Sequence, residues 1–261
     1  MLALPKLALR VLRRLGRVKG LENPALLVEN GLDELLFLID LPGRQSGRQA
    51  FEGARGFKDH FDFSSRFFGP HQLETEIGGL LAWVESLAPK MVCEIGTAMG
   101  GTTYLLGQSL PTVTHVIGID LFVRRKRRLR HFMRSNQQLE LVDGSSYAPE
   151  TAERVKRHLA GTKLDLLFID GDHSYDGVVK DFSLYRHFVR DGGVIVFHDI
   201  VQDYTTRYGR NTPRYTGGVP RFWEQLKPLY STKEFVESPD QDGFGIGALL
   251  YDGSISPPKL V

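Results

Sequence analysis

The sequence has very little cysteine and no long apolar run. Cys93 is the single cysteine among 261 residues, which excludes an intrachain disulfide framework and any zinc site built from several cysteines. Cys93 falls in a predicted buried strand, so we expect an inert core thiol. No apolar run approaches the length of a membrane-spanning helix. The net charge is only +2 and no nucleic-acid-binding module is recognisable, so we do not expect a nucleic-acid partner.

Two familiar glycine-rich nucleotide loops are also absent from the stretch MVCEIGTAMGGTT, residues 91–103. The dinucleotide fingerprint GxGxxG requires a glycine where Ala98 stands, and the phosphate loop requires a lysine where Thr102 stands. The stretch still predicts a buried strand, a glycine loop and the start of a helix. Glycines at 96, 100 and 101 let a ligand approach main chain at a helix N-terminus, although glycines that serve only packing would give the same motif.

The first 70 residues predict a helical and loop-containing extension ahead of a main domain at 71–261. Residues 1–20 hold six lysines or arginines and no acid, with apolar residues at helical spacing. This basic amphipathic helix leaves open peripheral membrane contact, homo-oligomer formation, a transit peptide or simple docking. We expect one or two helices ending before Pro42, a loop at 43–57, and a satellite core, rather than a substrate lid, around the phenylalanines at 61–68.

In the main domain, strands and helices alternate, which predicts a parallel sheet. A helix at 72–90 leads into strands at 91–95, 113–121, 139–143, 164–170 and 193–199, with intervening helices beginning near residues 100, 123, 149 and 175. A polar segment at 201–220 and a short helix at 221–226 precede two strands at 234–237 and 244–251, which a short turn makes antiparallel. The expected fold class is therefore α/β, with a doubly wound, mostly parallel seven-stranded sheet and a terminal antiparallel hairpin.

Carboxylates follow or end every predicted parallel strand. The carboxyl ends of such strands line one crevice, where open α/β sheets bind their ligands. Asp120 can accept hydrogen bonds from two ribose hydroxyls, and Leu121 can contact an adenine face. A strand-ending aspartate that only caps the next helix remains the alternative for any single position. The complete set comprises Glu94, Asp120, Asp143, Asp170 and Asp199.

The motifs FIDGDHSY and VIVFHDI predict a cation site. Asp170 and Asp199 end neighbouring strands, and together with His198 they can hold one divalent cation; carboxylates suit magnesium or manganese. His173 follows three residues after Asp170 and is the side chain best suited to take a proton near neutral pH, although it could also only hold its loop.

Two charged segments remain open to interpretation. The basic run at 123–131 predicts a solvated helix or attraction to an anionic substrate or lipid at least as well as nucleic-acid binding. The segment at 201–222 carries three tyrosines and four arginines, which suit a sugar or an anionic acceptor at the mouth of a crevice, and its length is typical of a binding loop or lid.

EIGTAMGGTT, IDLF, LDLLFIDGDHSYDGVVKDFSLY, VRDGGVIVFHDI and GVPRFWEQL together resemble the class I S-adenosylmethionine-dependent methyltransferases of the macrocin and cephalosporin-cluster type, over about residues 72–251. The resemblance implies methyl transfer to a hydroxyl oxygen, with His173 as the base and Asp170, His198 and Asp199 at metal positions. Metal-dependent relatives usually carry a carboxylate or an Asp-Asn pair where this chain has His198-Asp199. A second departure is Ser145, which stands at a position where aspartate is common in the family. The implied cofactor-binding residues are Glu94, Gly96, Thr97, Gly100, Gly101, Thr102, Asp120, Leu121, Gly144, Ser145, Ser146 and Asp170.

The sequence therefore predicts a cytoplasmic, Rossmann-like O-methyltransferase that uses S-adenosylmethionine and a divalent cation, magnesium or manganese. The expected partner is a small hydroxylated acceptor such as a sugar of a glycan, glycolipid or natural product. A nucleotide-dependent oxidoreductase on a similar sheet, and a cofactor-binding protein without catalysis, are the alternatives. The failed dinucleotide motif argues against the first, and Asp170, His173 and Asp199 argue against the second.

Overall fold

Four helices precede the sheet in the computed structural model, which describes residues 22–255. They are α1 (Glu22–Ile39), α2 (Leu41–Gly53), α3 (Gly56–Phe67) and α4 (Glu74–Glu85). The basic helix predicted for residues 1–20 lies outside the described residues. The helix end before Pro42 is confirmed, whereas the loop predicted for 43–57 is wrong because α2 covers most of it.

Helix α2 forms despite its glycines because of its cap and its packing. The Asp40 side chain accepts a hydrogen bond from the Gly43 backbone amide, and Pro42 occupies the first turn, where its missing amide proton costs nothing. Phe51 is buried, and Gly47 lies so close to Phe132 that an added methyl group would approach its ring to 2.9 Å. Tertiary contacts thus override the low helix propensity of this segment.

Seven strands form one sheet in the order β3-β2-β1-β4-β5-β7-β6. The strands β1 to β5 are parallel, and β7 pairs antiparallel with both β5 and β6, which confirms the predicted sheet with its terminal hairpin. Their bounds are β1 Met91–Ile95, β2 His115–Asp120, β3 Gln138–Asp143, β4 Leu164–Ile169, β5 Val189–His198, β6 Ser231–Phe235 and β7 Ile246–Leu250. The hairpin's first strand thus starts three residues before the predicted 234–237.

Helices cover both faces of this sheet. They are α5 (Gly101–Gln108), α6 (Lys126–His131), α7 (Pro149–Leu159), α8 (Tyr175–Tyr185), α9 (Tyr204–Tyr208) and α10 (Val219–Leu226). The long polar segment at 201–220 thus contains one short helix, and α10 begins two residues before its predicted start. Among residues 22–255, no helix combines the length and the apolar character needed to cross a bilayer.

The phenylalanines of α3 belong to the main core rather than to a satellite core. Phe63 stacks on Tyr104 of α5 at 5.1 Å between ring centroids, and Phe68 stacks on the same ring at 5.3 Å. Phe63 also meets Phe132 edge-on at 4.9 Å. These contacts continue one of the two apolar clusters that fill the faces of the sheet. The first helices are therefore packed firmly beside the carboxyl edge of the strands.

Candidate active site

The loop after β1 is shaped by glycines that touch neighbouring backbone. Gly96 has a φ of +96°, and a Cβ there would lie 1.9 Å from the carbonyl oxygen of Asp170. A Cβ on Gly101 would lie 2.5 Å from Cα of Pro70, and Gly100 adopts a left-handed conformation at the start of α5. The loop therefore draws the ends of β1 and β4 together, which leaves exposed backbone at the carboxyl edge of the sheet.

Glu94 is an almost fully buried acid behind this loop. Its side chain is 2% exposed and accepts a hydrogen bond from the Thr103 hydroxyl. Burial raises the pKa of Glu94 to about 8; the Thr103 hydrogen bond opposes the rise, and the negative charges of Asp170 and Asp120 add to it. Without a ligand, Glu94 is therefore mostly protonated at neutral pH.

Asp120 ends β2 with both carboxylate oxygens held by main chain. Oδ2 accepts from the Ala98 amide at 2.8 Å and Oδ1 accepts from the Phe122 amide at 2.9 Å. Each oxygen retains a further lone pair, so the carboxylate is oriented and still able to accept from a ligand. The neighbouring Leu121 side chain is 76% exposed, so its apolar surface is accessible to a ligand in the same cavity.

Two adjoining cavities lie along the carboxyl edge of the sheet. The Asp120 cavity, of about 470 Å³, lies beside residues 119–121, 144–147 and 170–172. The His173 cavity, of about 460 Å³, lies between residues 69–71, 96–99, 101–102, 198–199 and 213–215. Gly96, Ala98 and Asp170 line both.

The structure brings nearly all the predicted site residues to these two cavities. Gly100 alone among the predicted cofactor-binding residues lines neither. The Asp120 cavity holds Gly96, Asp120, Leu121, Gly144, Ser145, Ser146 and Asp170. The His173 cavity holds Glu94, Gly96, Thr97, Gly101, Thr102, Asp170, His173, His198 and Asp199.

Three side chains in the His173 cavity could share one cation. Donor atoms of Asp170, His173 and Asp199 all lie within 4.8 Å of one another. His173 Nε2 is 3.4 Å from Asp170 Oδ1, and its Nδ1 is 3.4 Å from Asp199 Oδ2. This group differs from the predicted set, because His173 stands where the sequence suggested His198.

His198 instead lies beneath the carboxylates. It is 4% exposed, and its Nδ1 lies 3.1 Å from Asp170 Oδ1 and 3.7 Å from Asp199 Oδ2. Within the described residues, its Nε2 has no hydrogen-bond partner. Asp199 itself has a φ of +61°, which is uncommon outside glycine, and its Oδ1 accepts from the Phe244 amide. Its Oδ2 lies near both imidazoles, slightly closer to His173 than to His198.

The carboxylates control protonation of the two histidines. Burial disfavours the charged form of His173, but the hydrogen bond and charge of Asp170, the Tyr215 carbonyl and the charge of Asp199 outweigh it and raise the pKa to about 9. For His198, burial likewise lowers the pKa, and the charge and hydrogen bond of Asp170 outweigh it. His173 is therefore positively charged, with both ring nitrogens protonated, at neutral pH unless a cation neutralises the carboxylates. Its Nδ1 can then donate to the Tyr215 carbonyl oxygen at 2.8 Å.

Gln72 carries no sequence signal, whereas Arg214 and Arg124 lie in the two charged segments that the sequence left open to interpretation. Gln72 is buried and donates through Nε2 to Asp170 Oδ2 at 3.1 Å. Arg214 covers the ring of Phe244 at 4.0 Å, and Arg124 lines the same cavity. Neither guanidinium makes an ion pair or a hydrogen bond within the described residues. Tyr215, which the sequence did suggest, is 68% exposed at the mouth.

The basic run at 123–131 mainly holds the first helices in place. Arg125 pairs with Asp33 at 3.1 Å and donates to the carbonyls of Phe67 and Phe68 at 2.9 Å each. Arg128 pairs with Asp33 at 3.2 Å and donates to the Phe67 carbonyl at 2.9 Å. Arg125 and Arg128 of this run therefore make structural contacts with the first helices.

The fold and part of the sequence match methyltransferases. Residues 93–200 match a family model described as a methyltransferase domain. An uncharacterised protein, R132, of Acanthamoeba polyphaga mimivirus is 35% identical over 117 residues, which cover 42% of this chain and 51% of the relative. The chain thus spans about half the length of that relative.

Two solved structures have the same fold at 18% sequence identity. An O-methyltransferase from Bacillus cereus in complex with S-adenosylhomocysteine has a TM-score of 0.52, and the match covers 85% of this chain and 97% of that one. The O-methyltransferase TomG from Streptomyces achromogenes, in complex with S-adenosylmethionine, has a TM-score of 0.50 and coverages of 76% and 91%. The chain therefore has a Rossmann-like methyltransferase fold, and residues 93–200 carry its sequence pattern.

Proposed function

We propose that this protein is an S-adenosylmethionine-dependent O-methyltransferase assisted by a divalent cation, acting on a hydroxyl of a small molecule. The observation that carries the proposal is that the Asp120 cavity and the His173 cavity adjoin and share Gly96, Ala98 and Asp170 as lining residues. A ligand spanning both would place its central atoms beside the carboxylate and histidine group. Membership of the macrocin and cephalosporin-cluster type, and a cytoplasmic location, remain predictions from the sequence.

The residues present fit the proposed cofactor. Asp120 would accept from the ribose hydroxyls, and the exposed Leu121 would cover one face of the adenine. Gly96, which lines both cavities, packs directly on the Asp170 backbone and so keeps the two lobes of the site next to each other for the cofactor's centre. Glu94, at the inner end, suits the ammonium group of the methionine part. When bound, S-adenosylmethionine supplies the electrophilic methyl group.

The Asp170–His173–Asp199 group fits a divalent cation. Two carboxylates and one imidazole suit manganese or magnesium, and the buried Gln72 and His198 would orient Asp170 from behind. A cation bound there would supply the positive charge that lowers the pKa of an acceptor hydroxyl. His173 would then act as a ligand through Nε2, or, if the cation is held by the carboxylates alone, as the proton acceptor.

The far wall of the His173 cavity favours a hydroxylated acceptor, with a sugar as the leading candidate. Tyr215 offers an exposed aromatic face, and Arg124 and Arg214 offer free donors for hydroxyl or anionic groups. The same wall excludes part of the solvent and so helps to align acceptor oxygen, methyl carbon and sulfur. Most of the rate gain would come from that alignment.

Calorimetric titration of S-adenosylhomocysteine into metal-stripped protein, with and without MnCl2, tests the cofactor assignment. We expect binding both with and without MnCl2. If the ligand binds under neither condition while NAD does bind, the proposal is overturned in favour of an oxidoreductase. Methyl transfer from isotopically labelled S-adenosylmethionine to a panel of sugars and catechols then tests the reaction.

The matched variants His173→Ala and His198→Ala separate the two cation sets. If His173 is the ligand, its variant should lose more manganese affinity than His198→Ala, which removes only a contact that orients Asp170 and should cost about 10- to 100-fold. Loss in the second variant alone would restore the set predicted from the sequence. Retained manganese binding with lost turnover in His173→Ala would assign it as the base.

A further inference from the structure

Asp181, in α8, is a fully buried carboxylate that the reaction does not use. Its relative exposure is 0%, and neither of its oxygens has a hydrogen-bond partner within residues 22–255. Burial raises its pKa to about 6, the nearby Ser146 side chain opposes this rise, and Asp172 adds to it. A buried carboxyl group without a hydrogen-bond partner destabilises the folded state unless another interaction replaces its lost hydration. Its position therefore calls for a functional explanation.

The Asp181 carboxylate points toward the wall of the Asp120 cavity. A Cβ on Gly171 would lie 3.1 Å from Asp181 Oδ2, and Gly171 and Ser146 both line that cavity. One helical turn later, Tyr185 donates to the carbonyl of Ser146 at 2.8 Å. Residues i and i+4 lie on the same face of a helix, so Asp181 and Tyr185 both face the Ser146 loop. Tyr185 holds the backbone of Ser146, and Asp181 lies near its side chain.

We propose that Asp181 is a positioning residue that turns the Ser146 hydroxyl so that its oxygen, not its hydrogen, faces the ligand and reads the 6-amino group of adenine. This inference rests on the proposed function, because it assigns one end of the cofactor's base to the loop at 144–147. The Ser146 side chain lies near enough to lower the pKa of Asp181, as a donor to the ionised carboxyl does, although the two side chains form no hydrogen bond in this structure.

The argument follows from the donor inventory of the two side chains. A serine hydroxyl has one hydrogen and two acceptor lone pairs, and an ionised carboxylate can only accept. Once the Ser146 hydrogen is committed to Asp181, only acceptor capacity remains toward the cavity. Such a site pairs with an amino group and leaves a buried mismatch against an oxo group at the same ring position, which is the arrangement that gives strong discrimination.

The test compares two ligands that differ at that one position, S-adenosylhomocysteine and S-inosylhomocysteine, by calorimetric titration. The wild-type protein should favour the adenosyl ligand by at least about tenfold. In Asp181→Asn, the amide can donate to Ser146 and free the hydroxyl hydrogen, so we expect the preference to fall to about threefold or less. Ser146→Ala should lose the preference similarly, and the double variant should lose no more than either alone, because both act on one contact.

Tyr185→Phe is the matched control, since it removes support of the Ser146 backbone but leaves the Asp181 carboxylate. It should weaken both ligands alike and leave their ratio unchanged. An unchanged ratio in both Asp181→Asn and Ser146→Ala would overturn the inference, and Ser146→Ala decides alone if the Asp181 variant does not fold. Equal wild-type affinity for both ligands would refute this inference while leaving the proposed function standing; binding of neither would refute both.

Discussion

Cofactor binding should release a proton from Glu94, and Glu94→Gln should abolish that release. In the free protein, burial holds the pKa of Glu94 near 8, so its carboxyl is about nine-tenths protonated at pH 7. An ammonium group placed beside it favours the ionised form. Binding at pH 7 should therefore expel about 0.9 proton from Glu94.

The ligand's own amino group changes the net value very little at pH 7. It belongs to a free amino acid and is more basic than the α-amino group of a peptide chain, because no peptide carbonyl withdraws electrons from it, so only a very small fraction is neutral and takes up a proton on binding. The net release stays at about 0.9 proton per ligand at pH 7. It falls as the pH rises past 8, because Glu94 is by then already ionised in the free protein.

Calorimetric titration of S-adenosylhomocysteine in buffers of different ionisation enthalpy measures this number directly. The slope of observed enthalpy against buffer enthalpy gives the protons exchanged. In Glu94→Gln, the shape is kept but no proton can leave, so the slope at pH 7 should shrink to the small uptake of the amine. A wild-type slope near zero at pH 7, or an equal slope in both proteins, would refute the placement of Glu94 beside the ammonium group.

Two further predictions concern the scaffold of the site. Gly96→Ala should lose at least about tenfold in S-adenosylhomocysteine affinity and roughly 3 kcal/mol in the free energy of unfolding, because its methyl group would lie 1.9 Å from the Asp170 carbonyl oxygen. Gly161→Ala is the control: Gly161 has a φ of +85° with open space around it, so this variant should lose only about 1 kcal/mol in the free energy of unfolding. Equal losses in the two variants would contradict the clash at Gly96. Arg128→Gln should lose about 1.5–3 kcal/mol in urea unfolding, because it removes the ion pair with Asp33 and the bond to Phe67, whereas the exposed Arg127→Gln should change stability by less than about 0.5 kcal/mol.

The sheet and the acidic residues at its carboxyl edge could be predicted, because both depend on the local sequence pattern and one topological rule. Strands that alternate with helices must run parallel, and parallel strands place their carboxyl ends together. That rule alone gathered Glu94, Asp120, Asp170 and Asp199, which now line the two cavities. The strand bounds differ by a few residues, as expected where hydrogen bonding rather than composition ends a strand.

The histidine facing the carboxylates could not be predicted from spacing. His198 adjoins Asp199 in the sequence, yet the left-handed backbone at Asp199 accompanies a carboxylate that lies beside His173 and a His198 ring that is buried. Helix α2 was missed for a related reason, since its stability comes from Phe132 and other residues far along the chain. Gln72 likewise reaches Asp170 through tertiary packing, without any motif.

The two cavities are built from different parts of the chain, and this division has an evolutionary consequence. The Asp120 cavity is formed by the ends of β1 and β2 and by the loops that follow β1 to β4, whereas the outer wall of the His173 cavity comes from residues 69–71, 213–215 and 244. Exchanges of the Arg214 and Tyr215 side chains in that outer wall would leave the residues of the glycine loop and the strand-ending carboxylates unchanged. A lineage carrying this fold can therefore change which molecule it modifies while the donor side stays constant, and homologues should diverge first in those outer segments.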